Sequence, residues 1–499
     1  MKNLTENKPK CLVSIGGRPI LYSISEAFGN DIETIIIADY KKEILKTYLN
    51  NFPPAFKYQV VDADGQGTSS GIQAAIELTN GSGFAIVWSD LLFTEPLDFK
   101  EITKNTIGIT ENVRCRWSIY NGKIIEEPNS RWGHFGIPGI FFFPEPMLLP
   151  NVPKNGEFVK FLSECNIDLS HVLVKCFKEI GSFDAYRSER DNRLNSRFFN
   201  SIKIEEEKVI KESRNAAFNQ LIYDEVAWYK FVSERGYENI PNIIKYEPLT
   251  LEVVKGFHPY DLGTKGHATN EEKMEAVRSI ITSLEELHRL GSVEYSDGVA
   301  EEVYVNKTMN RLHKVAGIIP HKDKENYIVN GHKVMNLLHP DNASAVKQIF
   351  NNVLKRRGKF NVIHGDPTFS NTIINTLNHK PIFIDPRGYF GSRKIYGDTL
   401  YDFAKLYYSA IGNYDFFNQG RFILKLNGTE VNLKVESEGF EQTKTVFEET
   451  MGNKIVSLKI LHSLIWLSLS GYVIDDYDAI LASYFKGLVL FQEVWDEYS

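Results

Sequence analysis

Residues 364–388 constrain the fold of this chain more tightly than any other stretch. They read His364-Gly365-Asp366-Pro367-Thr368-Phe369-Ser370-Asn371 and then, after twelve residues, Ile384-Asp385-Pro386-Arg387-Gly388. Residues 359–363 are β-prone and predict a short strand entering the first segment. Residues 372–375 and 381–384 predict a β-pair around a turn at 377–380. Asp385 would then leave the end of a buried strand, where a side chain can be held rigidly. A lone His-Gly-Asp could be no more than a turn whose Asp and Asn satisfy nearby backbone. The ordered set of carboxylate, carboxamide and second carboxylate points to chemistry instead. Phosphoryl transfer from ATP needs an Asp that accepts the proton of the attacking hydroxyl, then an Asn and an Asp that hold magnesium against the phosphates. Asp366, Asn371 and Asp385 fit those roles in that order.

This constellation resembles the aminoglycoside phosphotransferase and choline/ethanolamine kinase family, whose motifs run H-G-D-x-x-x-x-N and then I-D. The resemblance covers about residues 195–499. It implies a bilobal protein-kinase-like fold, with a small lobe over about 195–255 and a large lobe over about 256–499. Residues 203–205 and 208–211 predict a hairpin across an acidic turn, with Lys211 on the second strand. A helix from about 216 to 233 carries Glu225. The resemblance implies that Lys211 meets the α- and β-phosphates of ATP and that Glu225 holds the lysine. Residues 249–254 predict the strand to the interlobe hinge, where backbone near Glu252 and Val254 would hold the adenine. Residues 197–201, ending at Ser201, would form the loop over the phosphates, without the glycines of a protein kinase. Asp398 is placed to cap a helix, and Asp402, one turn on, is expected to buttress the catalytic loop. Arg387 and Arg393 could meet phosphate, neutralise this acidic cluster or form structural ion pairs.

The first half carries a second pattern. Lys8-Pro9-Lys10-Cys11-Leu12 runs on to Gly16-Gly17-Arg18-Pro19-Ile20-Leu21. Asp64-Gly65-Gln66-Gly67-Thr68-Ser69-Ser70 is a small-residue loop, and Phe84-Ala85-Ile86-Val87-Trp88-Ser89-Asp90 is an apolar strand ending in an acid. Residues 8–190 resemble nucleotidyltransferases of the sugar-phosphate and phosphocholine type. The resemblance implies that Lys10 contacts phosphate, that Gly67 and Thr68 meet the base, and that Asp90 and Glu179 hold magnesium; Glu179 fits its position better than Asp184. Strands over 33–38, 84–88 and 139–143 predict an open Rossmann-like α/β sheet, whose ligands bind beyond the carboxyl ends of the strands. Residues 1–7 resemble the stretch just after the family's glycine-rich triphosphate loop, so weak or absent nucleotidyl transfer is expected of the chain as given.

The chain has 499 residues and 42% hydrophobic content, enough for two or three cores. The domain junction is expected at 187–193, a short charged linker, giving domains 1–190 and 191–499. Net charge is −7, which gives no sign of a nucleic-acid or anionic-membrane partner. Cys11, Cys115, Cys165 and Cys176 show no C-x-x-C spacing and read as reduced thiols. With no leader pattern at the start, a cytoplasmic protein is expected. Residues 455–474 are apolar but broken by Lys459, His462 and serines, and predict a buried helix rather than a membrane span. The histidines between 297 and 345 have no metal-ligand spacing. The expected activity is an ATP- and Mg²⁺-dependent kinase of a small alcohol: an amino alcohol, an amino sugar or a sugar. Its front domain would use CTP or another nucleoside triphosphate to activate the product for surface polysaccharide or head-group synthesis. A kinase with a vestigial front domain, or a non-catalytic ATP-binding regulator, are the alternatives.

Overall fold

The structure is a computed structural model. It describes residues 4–29, 31–97, 99, 101–130, 132–144, 149, 151–193, 200–213, 219–264, 268–355 and 358–498. The chain divides into two compact units, Met1–Arg193 with Asp475–Tyr477, and Leu194–Ile474 with Asp478–Ser499.

In the first unit, strands and helices alternate. Ile140–Phe143 explains the layering, because it is an unbroken apolar run. Successive side chains of a strand point to opposite faces. Ile140 and Phe142 join one core with Ile20, Ile24 and Leu91. Phe141 and Phe143 join another with Ile107, Phe158 and Leu162. A strand buried on both faces belongs inside a sheet, and Ile140–Phe143 lies between Thr106–Ile109 and Phe84–Val87, with Ser170–Leu173 at the outer edge. Thr34–Ala38 pairs in parallel with Tyr58–Asp62 across the helix Lys42–Asn51. The α/β class is as expected, but the three expected strands do not share one sheet. Among the described residues no strand is hydrogen-bonded between Thr34–Ala38 and Phe84–Val87, so the layer is in two parts. The expected linker at 187–193 is also different. It forms the end of a helix, Phe183–Arg193, whose Tyr186 and Glu189 are buried three residues apart. Lys178 pairs with Glu189, so part of this charged run faces inward rather than solvent.

The second unit opens with a four-stranded antiparallel sheet in the order Asn200–Ile204, Lys208–Ser213, Leu249–Glu252, Ile243–Tyr246. The helix Asn219–Ser233 accompanies it. The expected hairpin is present, with Ile202 opposite Lys211. The remainder is mainly helical, with Asn270–His288, Thr399–Ala410, Ile455–Ser470 and Tyr477–Tyr498 as its longer helices. A capping box between Thr269 and Glu272 starts the first of them. Ile455–Ser470 is buried along most of its length, and the hydroxyls of Ser463 and Ser470 donate to the carbonyls of Ile460 and Leu467. Its polar groups are thus satisfied inside the protein. Among the described residues no helix is long and apolar enough to cross a membrane.

Thr399–Ala410 matters most for function, since all its residues from Leu400 are buried. Asp398 caps it by accepting from the Leu400 amide at 3.0 Å. Asp402, Lys405 and Ser409 share one face through their spacing of three and four. That face lies against the 364–371 loop, and each of the three side chains holds part of it.

Candidate active sites

Backbone and side chains hold the loop of the second unit from two sides. Asp402 accepts from the amides of His364 at 2.9 Å and Gly365 at 2.7 Å, and from His288 Nε2 at 3.0 Å. Ser409 Oγ accepts from the Phe369 amide at 3.0 Å. Asp415 accepts from the Ser370 amide at 2.9 Å. His364 ties this loop to the one carrying Asp385: its Nε2 donates to the Ile384 carbonyl at 3.0 Å, and its Nδ1 accepts from the Asp366 amide at 3.2 Å. Burial pushes the His364 pKa down, in keeping with a neutral ring that donates at one nitrogen and accepts at the other. Gly365 has φ of +83°, and a Cβ there would come within 2.8 Å of Arg387 Cβ, so only glycine fits the crossing of the two loops.

The three residues expected to carry the chemistry come together on this frame. Asn371 Nδ2 donates to the Asp366 carbonyl at 2.9 Å and lies 3.4 Å from its carboxylate. The Ile384 amide donates to the Asn371 carbonyl at 3.0 Å, which brings Asp385 alongside. Asp385 has φ of +56°, a left-handed conformation uncommon outside glycine. Its Oδ1 accepts from Lys211 Nζ at 2.8 Å. The same ammonium donates to both oxygens of Glu225, at 2.8 and 2.6 Å. Lys211 and Glu225 are buried, and Asp385 is 20% exposed. Burial works to lower the Lys211 pKa, but the carboxylates of Asp385 and Glu225 outweigh it and raise it above the ordinary value.

The hinge and phosphate-loop residues are more dispersed. The amides of Glu252 and Val253 are engaged by the carbonyls of Asn242 and Glu207. Val254 follows on half-buried backbone outside the strand. The Glu252 side chain is exposed and accepts from Asn242. Ser201 pairs with Glu212 in the first hairpin; its side chain, and residues 197–199, lie outside the described residues. Arg393 is exposed. Arg387 instead donates to the hydroxyl of Tyr401 at 3.3 Å.

Sequence reading missed Lys405, whose Nζ lies 2.8 Å from Asp366 Oδ1. Its signal was present as a polar residue three positions after Asp402 on an otherwise apolar helix. Lys307, Arg311 and Tyr401 were missed as well.

In the first unit, Lys10 Nζ pairs with Asp90 Oδ2 at 2.7 Å. Glu179 stands opposite Leu91 in a short antiparallel pair, one residue past Asp90. Burial, and then the charge of Asp90, push the Glu179 pKa up, while Lys10 pulls it down. Lys10, Asp90 and Glu179 therefore share one electrostatic neighbourhood. Gly67 and Thr68 are exposed. Their loop is stapled to residues 155–158: Gln66 donates to Asn155 at 2.9 Å, and Thr68 Oγ1 accepts from the Phe158 amide at 2.9 Å. Gly67 has φ of +84°, and a Cβ there would lie 2.3 Å from the Gly156 carbonyl. Asp184 begins a helix, within its first turn.

No family model matches the chain. Over 99 residues it is 30% identical to the bifunctional protein GlmU of Methanocaldococcus jannaschii, spanning 20% of this chain and 24% of that one. The chain thus spans about a quarter of the length of this curated relative. Among solved structures it is similar to HddC from Yersinia pseudotuberculosis, at 20% identity and TM-score 0.32 over 38% of this chain and 92% of that one. A choline/ethanolamine kinase family protein from Mesorhizobium loti matches at 11% identity and TM-score 0.37, over 60% of this chain and 90% of that one. Aminoglycoside 2'-phosphotransferase-IIIa matches at 15% identity and TM-score 0.36, over 61% and 92%. At these identities and scores the likenesses assign no activity.

Proposed function

We propose that the second unit is an ATP-dependent kinase that phosphorylates a hydroxyl of a small molecule, and that the first is a nucleotidyltransferase-like domain. One observation supports the kinase reading above the rest: Asp366, Asn371 and Asp385 converge on a braced double loop, with the buried Lys211–Glu225 pair docked on Asp385. In this reading Asp366 takes the proton of the acceptor hydroxyl, held in place by Lys405 and Asn371. Lys211 binds the α- and β-phosphates, and Glu225 fixes the ammonium.

Magnesium would be held by Asn371 and Asp385. The donor set fits: both offer hard oxygens, and Mg²⁺ commonly takes one or two protein groups and completes its shell with phosphates and water. Among the described residues no cluster of three or more His, Cys, Asp or Glu could form a self-sufficient metal cage. When bound, the ion neutralises charge on the transferring phosphoryl group.

In the first unit, Lys10 would contact phosphate, Gly67 and Thr68 the base, and Asp90 with Glu179 a divalent ion. The exposed loop and the paired carboxylates support this reading. The 30% identity to GlmU over 99 residues adds to it. A fused kinase and nucleotidyltransferase would act in sequence, the first making the phosphomonoester that the second couples to a nucleotide. Incubating the full chain with ATP, Mg²⁺ and a panel of alcohols tests the kinase reading. Acceptor-dependent ADP release supports it, and its absence across the panel with a folded protein counts against it.

A further inference from the structure

Beyond the Asp366–Lys405 pair lies a cluster of cations. Lys405 pairs with Asp366 Oδ1 at 2.8 Å. Tyr401 lies one turn before Lys405 on the same helix face. Its hydroxyl accepts from Arg387 Nη1 at 3.3 Å and from Lys307 Nζ at 3.4 Å. Lys307 and Arg311 sit one turn apart on the helix Lys307–Val315. Arg311 Nη1 donates to the carbonyl and hydroxyl of Ser468, at 3.2 and 3.0 Å. The residues before Lys307, Glu302–Asn306, form a π-helical turn, a distortion frequent at functional sites.

Among the described residues, Lys307, Arg311 and Arg387 form no ion pair with a carboxylate. Lys307, Arg387 and Lys405 thus gather around Tyr401 with Arg311 one turn away, in a partly buried place where Lys405 pairs with Asp366. A structural cluster would be expected to bring in counter-charges, because uncompensated buried charge is costly. The cations are compensated unequally: burial works to lower the Arg387 pKa, but Tyr401, Asp366 and Tyr389 outweigh it and raise it, whereas the Lys307 pKa falls. Burial, and then the neighbouring cations Arg387, Arg311 and Lys405, push the Lys307 pKa down to about 8. The Tyr401 phenol is drawn down to about 7 by Lys307, Arg387 and Lys405, against the effect of burial. A cationic acceptor such as an amino alcohol would meet repulsion, whereas an anion would neutralise the excess.

We infer that the acceptor is an anionic alcohol, a phosphorylated sugar or polyol whose phosphate lies among Lys307, Arg311 and Arg387 while a hydroxyl faces Asp366. The inference rests on the kinase reading of the same site. Guanidinium forks match phosphate oxygens in pairs, which favours a phosphate over a single carboxylate. In the step, the hydroxyl oxygen bonds to the γ-phosphorus of ATP and the bond to the bridging oxygen breaks. The hydroxyl proton passes to Asp366, and ADP leaves with the electron pair. The product is a bisphosphate, so the enzyme supplying the substrate must itself be a phosphorylating or phosphate-retaining one.

Two measurements on the full chain test this. In initial-rate assays with ATP and Mg²⁺, the acceptors are glucose, mannose, their 6-phosphates, gluconate, choline and glucosamine. A phosphorylated sugar should exceed its parent in kcat/KM by about 100-fold. Lys307→Met and Arg311→Met should each raise its KM about tenfold, with the KM for ATP within about twofold, and Lys307→Arg should restore much of the loss. If ADP forms but choline, glucosamine, gluconate or an unphosphorylated sugar is preferred, the inference fails and the kinase reading stands. A change in the KM for ATP instead would give the cluster to the nucleotide phosphates and overturn the inference. The second measurement needs no turnover: inorganic phosphate is titrated by calorimetry into the chain saturated with a non-hydrolysable ATP analogue and Mg²⁺. Binding that weakens about tenfold in folded Lys307→Met and Arg311→Met, and is kept in Lys307→Arg, supports the inference. Binding that is absent, or equal in all variants, overturns it whatever the rates show. No ADP with any acceptor counts against the kinase reading instead.

Discussion

The two units each centre on a lysine paired with an aspartate, but they hold the pair differently. In the second unit Lys211 is 5% exposed and bridges Glu225 and Asp385, and a buried helix face holds the loop alongside. In the first, Lys10 is 36% exposed and pairs with Asp90, beside a layer whose strands fall into two separate sheets. Buried, multiply bonded charges keep one geometry because every alternative leaves a charge unpaired. A half-buried pair with a single partner rearranges at lower cost. The site of the second unit is therefore the more rigidly set of the two, and that of the first depends more on its ligands to organise it.

Substitutions should expose this contrast, beginning with Asp385→Ala. On the proposed reading it removes a magnesium ligand, and it leaves Lys211 and Glu225 with altered charge balance. Turnover should fall by about 10³-fold or more, and rates measured against magnesium concentration should lose their saturation. Unchanged magnesium dependence would place the metal elsewhere. Lys211→Ala should cost about 10²-fold in kcat/KM, and Glu225→Gln roughly tenfold, since the latter acts through the lysine. Equal losses would mean that Glu225 touches the ligand itself.

A third prediction concerns what lies behind the loop. Glu438 is buried and accepts from the Phe416 amide at 3.0 Å, while the neighbouring Asp415 accepts from Ser370 of the loop. Burial, and then Asp415, push the Glu438 pKa up to about 9. A carboxyl whose folded pKa is raised contributes stability below its unfolded value and loses it as pH rises towards the folded one. Glu438 should therefore contribute a loss of about 1.4 kcal/mol per pH unit between about 4.5 and 9, and Glu438→Gln should lose stability less steeply with rising pH than the wild type. Unfolding midpoints of both proteins at pH 6 and 8.5 read it. A parallel pH dependence in the two would show that Glu438 does not carry the proton.

The smallest expected effect tests the independence of the two sites. Asp90→Asn should change phosphoryl transfer by less than about twofold, because the two sites belong to separate compact units. A larger change would couple the units and break the comparison.

Much of the second site was legible in the sequence because its groups lie close together along the chain. Asp366, Asn371 and Asp385 fall within twenty residues, and turn and strand signals place them. Lys211 and Glu225 were found through the family resemblance, which their strand and helix fit. The N-cap Asp398 followed from the helix pattern and the buttress Asp402 from the resemblance, and the hydrogen bonds match. The cation cluster was not legible. Lys307, Arg387 and Tyr401 are brought together by packing over almost a hundred residues, and a lysine on a helix gives no local sign of facing inward. The form of the run at 187–193 was hidden for the same reason: the first unit ends at Arg193, but the run continues a helix on which Tyr186 and Glu189 are buried instead of forming an irregular linker. The split of the front layer was also hidden, because each strand was recognisable locally but strand pairing is a non-local property.

The account rests most directly on Asp366 as the group that receives the hydroxyl proton. The decisive measurement is acceptor-dependent ADP formation by the full chain and by Asp366→Asn at saturating ATP and Mg²⁺, with nucleotide affinity measured alongside. Asn keeps the shape and removes the base, so the rate should fall by about 10²–10⁴-fold while ATP affinity stays within a few-fold. A variant that turns over at close to the wild-type rate, with its ATP affinity intact, would contradict the account.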